Sequence, residues 1–161
     1  MQHERALREL LARLLDWEDA HRNYRNILSG WPPELRGVKP SGCPHTAWQL
    51  LEHLRICQWD ILEFSRDPDH VSPEFPVGYW PTDEAPSDDA AWTASIARIH
   101  DDMEQMKRLV MNPDVDLFAS IPHGQGQTIL REAVLVADHN SYHLGQLLLL
   151  RRLVGDWPGT D

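Results

Sequence analysis

The sequence has only two cysteines, Cys43 and Cys57, among its 161 residues. Two cysteines make neither a disulfide framework nor a thiolate zinc site. We therefore expect reduced thiols and a cytoplasmic location. A chain of this length can bury one hydrophobic core without cross-links, so residues 1–161 are predicted to form a single domain.

Positive charge and long apolar runs are also scarce. The chain has 15 lysines and arginines against 25 aspartates and glutamates, which gives a formal net charge of −10. This balance argues against nucleic acid and anionic membranes as partners. No segment approaches the roughly 20 apolar residues that span a bilayer. The N-terminal stretch MQHERALRELLARLLDW carries charges throughout, so we expect no signal peptide.

Alternating strand patterns are absent, whereas helical periodicity recurs along the chain. Apolar residues return at intervals of three and four in four segments separated by long connections. The sequence therefore predicts an all-α four-helix bundle with long inter-helix connections. The predicted helices cover residues 4–28, 45–64, 87–111 and 127–154.

Local signals suggest how these helices begin and connect. Pro44 suits the first turn of the second helix, and Ser87 and Thr128 are predicted N-caps of the third and fourth helices. The connection at residues 65–86 contains five prolines and is either a simple crossover or a lid over a pocket. Gly145, inside the fourth helix, predicts a close approach of another helix.

The segment HNSYH interrupts the most apolar part of the chain with two histidines. Residues four apart lie on one face of a helix, so His139 and His143 present both imidazoles to the same point. Buried imidazoles need polar partners, and a divalent metal satisfies both at once. This spacing alone is equally typical of two histidines at a helix interface or on a surface.

A third histidine strengthens the metal interpretation. His53 lies among apolar residues in the second predicted helix, within WQLLEHLRICQWD. Three histidines on two long helices of one bundle can share an ion. Three neutral ligands leave coordination positions for water or substrate, as in catalytic zinc sites.

Two other metal motifs are excluded. HNSYH lacks the glutamate of HExxH, which serves as the base in helical zinc proteases. A di-iron carboxylate bundle needs two Glu-x-x-His motifs. The sequence offers one candidate, Glu18 with His21.

The segments WQLLEHLR and ADHNSYHLGQLLLLRRLVG together resemble the DinB/YfiT-like superfamily. The resemblance implies a four-helix bundle, often dimeric, that holds a divalent metal, typically zinc or nickel, with three histidines. Carried over by position, the ligands are His53, His139 and His143. The family that the chain resembles includes transferases and isomerases that use small thiols.

The function that we expect is therefore that of a metal-dependent enzyme, either a hydrolase or a small-thiol-dependent transferase. Its substrate would be a small molecule, with a low-molecular-weight thiol as one candidate, and no catalytic side chain is evident. The alternative is a non-catalytic metal-binding or oligomeric stress-response bundle. The apolar breadth of the fourth helix and the resemblance both favour a homodimer.

Several polar residues near the histidines are candidates to accept or donate a hydrogen bond to a metal-bound ring. Each is equally suited to an ordinary interhelical hydrogen bond. These candidates are Gln49, Cys57, Asp60, Glu132, Asn140 and Gln146. Aromatic residues of the proline-rich loops, among them Trp80 and Tyr79, are predicted to line a pocket or to fill the core.

Overall fold

A computed structural model describes residues 2–17, 19 and 21–156 of the chain. These residues contain five helices, of which four are long, and no strand, so the predicted all-α bundle is confirmed. None of the described helices has the length and apolarity needed to cross a membrane. The helices are α1 (Gln2–Leu14), α2 (Tyr24–Leu28), α3 (Ala47–Arg66), α4 (Asp89–Met111) and α5 (Ile129–Leu153).

The prediction of one continuous helix over residues 4–28 is wrong. Between Leu15 and the next core residue, Tyr24, no described side chain belongs to the buried core, so a helix that continued through this segment would bury little additional apolar surface. The side chain of Asn23 accepts a hydrogen bond from the backbone N–H of Asn26, which starts α2 as a separate short helix. Glu18, which the sequence paired with His21, lies outside the described residues.

The other helix starts follow their capping residues. Thr128 caps α5 as predicted, because its hydroxyl accepts a hydrogen bond from the N–H of Arg131. Asp88, rather than Ser87, caps α4. Helix α3 begins after Thr46, which forms a reciprocal capping box with Gln49. Pro44 therefore precedes the first turn instead of occupying it.

Helix α3 lies between α4 and α5, and α1 packs against the same two helices from the other side. The shared core is built from fully buried aliphatic and methionine side chains. Because α3 packs directly against α5, polar residues in the facing turns of these two helices meet inside the bundle. The largest of these core side chains include Leu51, Leu62, Met103, Met106, Val136 and Leu147.

The proline-rich connection between α3 and α4 folds back onto α3. His70 and Tyr79, both in this connection, make hydrogen bonds to the buried carboxylate of Asp60 at 2.8 and 2.7 Å. The hydroxyl of Thr46 donates to the backbone carbonyl of Glu84 at 2.6 Å. These contacts hold the connection against α3.

Gly145 lies on the exposed face of α5, together with Tyr142 and Leu149. A Cβ atom added at this glycine would meet no other atom within 4 Å. Within the described chain, no helix makes the close approach predicted for Gly145.

Candidate metal centre

Three histidines meet between α3 and α5. His53 Nε2 lies 3.2 Å from His143 Nε2 and 3.2 Å from His139 Nε2. One nitrogen from each ring lies within 4.8 Å of the other two. The structure therefore brings the three residues singled out by the sequence to one point, where they could hold a metal ion.

Helix geometry accounts for this convergence. His139 and His143 are one turn apart on α5, and His53 stands in the middle of α3, which packs on that face of α5. His53 and His143 are each only 7% exposed. The cluster is thus built on two long helices, which are more rigid supports than loops.

The outer nitrogens of two rings have fixed partners. His53 Nδ1 lies 2.8 Å from the backbone carbonyl oxygen of Tyr79, and His143 Nδ1 lies 2.8 Å from Gln146 Oε1. Both oxygens are acceptors, so each Nδ1 donates a proton and each Nε2 is left with a lone pair. Two unprotonated nitrogens 3.2 Å apart have no proton between them. This arrangement fits a shared cation, to which both would be donors.

Burial keeps these imidazoles in the neutral form that binds metals. Burial is the main cause that lowers the pKa of His53 and of His143. For His139, burial together with the neighbouring rings of His143 and His53 lowers the pKa to about 4. His139 Nδ1 is buried without a hydrogen-bond partner.

An aromatic stack supports His53 from the loop side. The indole of Trp80 lies parallel to the His53 ring, with 3.8 Å between ring centroids, and the His45 ring stacks on the opposite indole face at 3.9 Å. The sequence indicated Trp80 only as a residue that lines a pocket or fills the core. His45 was missed, because its position beside Pro44 carries no signal of stacking.

Of the predicted ring partners, Gln146 contacts a histidine nitrogen directly. Cys57 Sγ lies 3.6 Å from His53 Nδ1, and burial raises the pKa of this thiol to about 12, so it stays protonated. Asp60 does not contact a histidine of the cluster directly. It accepts a hydrogen bond from the phenol of Tyr79, whose backbone carbonyl group binds His53.

The remaining candidates have other partners. Gln49 belongs to the capping box of α3, Glu132 pairs with Arg131, and Asn140 donates to Gln58. Gln49 and Glu132 are therefore explained by structural contacts away from the histidine cluster. Asn140 also acts on His139, because its side chain raises the pKa of that ring against the larger lowering by burial.

Comparison with known proteins gives a single family assignment. The sequence model of the DinB superfamily matches residues 16–147, which include all three histidines. No curated protein and no solved structure matches the chain significantly. Since the match covers most of the sequence, the chain belongs to the DinB superfamily.

Proposed function

We propose that the protein binds one divalent metal ion through His53, His139 and His143 and uses it as an enzyme on a small-molecule substrate. The observation that carries this proposal is the 3.2 Å approach of His53 Nε2 and His143 Nε2, whose outer nitrogens both donate to oxygen acceptors. Neutral rings arranged in this way cannot form a hydrogen bond with each other, because neither Nε2 carries a proton.

Zinc or nickel is the ion that we propose, because both accept imidazole nitrogen as a ligand. Such an ion lowers the pKa of a coordinated water or thiol and so supplies a nucleophile near neutral pH. The donor group found among the described residues contains only histidines. Three neutral ligands leave the charge of the ion uncompensated, which favours an anionic fourth partner.

The chain itself would orient the ligands and limit the access of water. Tyr79 and Gln146 fix the planes of two imidazoles, and Trp80 covers the loop side of His53. The reaction that we propose is either transfer to a low-molecular-weight thiol or hydrolysis. Both reactions need an activated nucleophile and a site from which bulk water is excluded. Tyr79, Gln146 and Trp80 would help to exclude water from the site.

The first experiment measures metal content. Protein purified without chelators and dialysed against zinc or nickel should hold about one ion per chain. The double variant His139→Ala/His143→Ala should lose most of its affinity, by more than the roughly 10- to 100-fold that the loss of a ligand's hydrogen-bond partner costs. The control is His123→Ala, since His123 contacts the backbone carbonyl of Phe64 in another part of the molecule. Full metal content in the double variant would refute the ligand assignment.

A second experiment addresses catalysis. Metal-loaded protein is screened for thiol transfer from small thiols to electrophiles, beside a panel of esters and amides. Activity that disappears in the double variant but persists in His123→Ala supports the enzymatic proposal. Stoichiometric metal without turnover in either panel would indicate a non-catalytic metal-binding bundle.

A further inference from the structure

A cavity of about 220 Å³ opens beside the histidine cluster. It lies between the loop before α3, the first turn of α3 and the C-terminal half of α5. The residues used in the argument below are Cys43, His45, Leu50, Gln146, Leu149 and Leu150.

A hydrogen bond, an aromatic stack and one turn of α3 connect this cavity to the histidines. Gln146 lines the cavity and binds His143 Nδ1 through its side-chain oxygen. His45 lines it too, and its ring stacks on Trp80, which stacks in turn on His53. Leu50 precedes His53 by one turn of α3, a rise of about 5 Å. The cavity is therefore within one helical turn of the proposed metal site.

The lining of the cavity indicates what it would bind. Leucine side chains form its α3 and α5 walls, and none of the described residues that line it is an aspartate, glutamate, lysine or arginine. Burial lowers the pKa of His45, which keeps this ring neutral near pH 7. An uncharged, largely apolar wall disfavours ionic groups, because their desolvation would not be compensated.

We propose that this cavity binds an uncharged hydrocarbon substituent of the substrate while the polar end of the same molecule reaches His53, His139 and His143. The proposal rests on the proposed function. An apolar cavity of about 150 Å³ holds benzene, so about 220 Å³ accommodates a group the size of a phenyl or hexyl chain. The substituent would belong to the acyl group or electrophile rather than to a polar small thiol.

The test uses Cys43 as a reporter of occupancy. Cys43 is partly exposed, whereas Cys57 is buried, so iodoacetamide should alkylate Cys43 selectively. Alkylation is followed by mass spectrometry, with ethanol, 1-hexanol or benzyl alcohol at equal millimolar concentrations. The larger alcohols should slow alkylation at least about fivefold more than ethanol, because only they bury substantial apolar surface.

Two substitutions on α5 distinguish binding of the alcohols in the cavity from a non-specific effect of the alcohols on the alkylation rate. Leu149 lines the cavity and is 57% exposed, so Leu149→Trp should narrow it without disrupting the core. Leu153 is 54% exposed on the same helix and is not among the lining residues, which makes Leu153→Trp the matched control. Protection should be lost in Leu149→Trp and kept in Leu153→Trp. Equal protection in both variants, or none in the unmodified chain, would overturn the proposal.

A zinc-dependent arm tests the link to the histidines. With zinc loaded, benzohydroxamate should bind at least about tenfold more tightly than acetohydroxamate and should protect Cys43, because its phenyl group adds apolar burial. Leu149→Trp should remove this preference and leave acetohydroxamate binding unchanged. Protection by alcohols with no effect of zinc on either hydroxamate would support the cavity and contradict the proposed function. Equal affinity for the two hydroxamates in the unmodified chain would overturn the link between cavity and metal.

Discussion

The backbone carbonyl oxygen of Tyr79 accepts a hydrogen bond from His53 Nδ1 at 2.8 Å. The phenol of the same tyrosine donates to Asp60 Oδ2 at 2.7 Å, and Asp60 lies two turns after His53 on α3. Burial, followed by the contact with Asp60, raises the pKa of Tyr79 to about 12, so the phenol remains a donor at neutral pH. The proline-rich connection is thereby fixed to the helix whose histidine it orients.

Removing the hydroxyl of Tyr79 should loosen this support. In Tyr79→Phe the hydrogen bond to a buried carboxylate is lost, which should lower the free energy of unfolding by about 1–3 kcal/mol. Zinc affinity should fall about tenfold, because His53 is held less firmly. Urea unfolding and a competitive chelator titration measure the two effects. Tyr24→Phe is the control, since the Tyr24 hydroxyl is buried without a hydrogen-bond partner; equal zinc affinities in the two variants would contradict the role of Tyr79.

Gln146 offers a second test of ligand orientation. Its Oε1 accepts a proton from His143 Nδ1 at 2.8 Å, so Gln146→Leu should reduce zinc affinity by about 10- to 100-fold. Gln146→Glu keeps an acceptor at this position and should retain affinity. Calorimetric titration with zinc alone gives both values. Similar losses in the leucine and glutamate variants would mean that side-chain packing, rather than the hydrogen bond, is responsible.

How well the sequence predicted the site depends on the kind of contact. The spacing of His139 and His143 places them on one face of any α-helix. His53 joins them as soon as α3 packs against that face of α5. The hydrogen bond from His53 to the backbone carbonyl group of Tyr79 could not be predicted from the sequence. Every residue has such a group, and only the folded loop brings this one to His53. The reaction, the identity of the ion, the homodimer and the compartment stay predictions.

The helices show the same division between local and tertiary causes. Thr128 was recognised because an N-cap is satisfied within its own first turn. The break after Leu14 was missed, since it depends on where contact with the core is interrupted, between Leu15 and Tyr24, rather than on residue propensities. The close approach predicted for Gly145 is not found within the described chain for a similar reason, because the sequence cannot tell which face of α5 the other helices of the chain cover.

Arg151 should be important for stability although it lies outside the histidine cluster. Its guanidinium is 2% exposed and donates to the carbonyl oxygens of Ile27, Ser29 and Gly30, at 3.2, 2.8 and 3.1 Å. A lysine cannot reproduce this planar set of donors, so Arg151→Lys should lower the free energy of unfolding by about 2–3 kcal/mol.

The control for this substitution is Arg152→Lys, on the exposed side of the same turn. We expect an effect within about 0.5 kcal/mol for a surface change of this kind. Urea unfolding of both variants gives the comparison. A loss in Arg152→Lys as large as in Arg151→Lys would mean that the buried hydrogen bonds contribute little.

Asp102 should make the stability of the bundle depend on pH. This residue of α4 is 9% exposed, and burial raises the pKa of its carboxyl group to about 6 from an ordinary value of 3.8. The charged groups that also act on it are Glu63, Arg66, Arg55 and Asp101, in decreasing order of effect. The folded protein therefore binds this proton more tightly than the unfolded chain does.

Because the folded pKa is the higher one, the stabilisation from a neutral Asp102 is complete below about pH 4 and is lost as the pH rises through about 6. At about pH 7.5 the folded protein holds a buried carboxylate, and Asp102→Asn should raise the free energy of unfolding by about 2 kcal/mol. The gain should shrink towards zero near pH 4. Urea unfolding at several pH values tests this, with exposed Asp101→Asn as the control. A gain that is independent of pH would show that the amide packs better than the carboxyl group and that titration is not the cause.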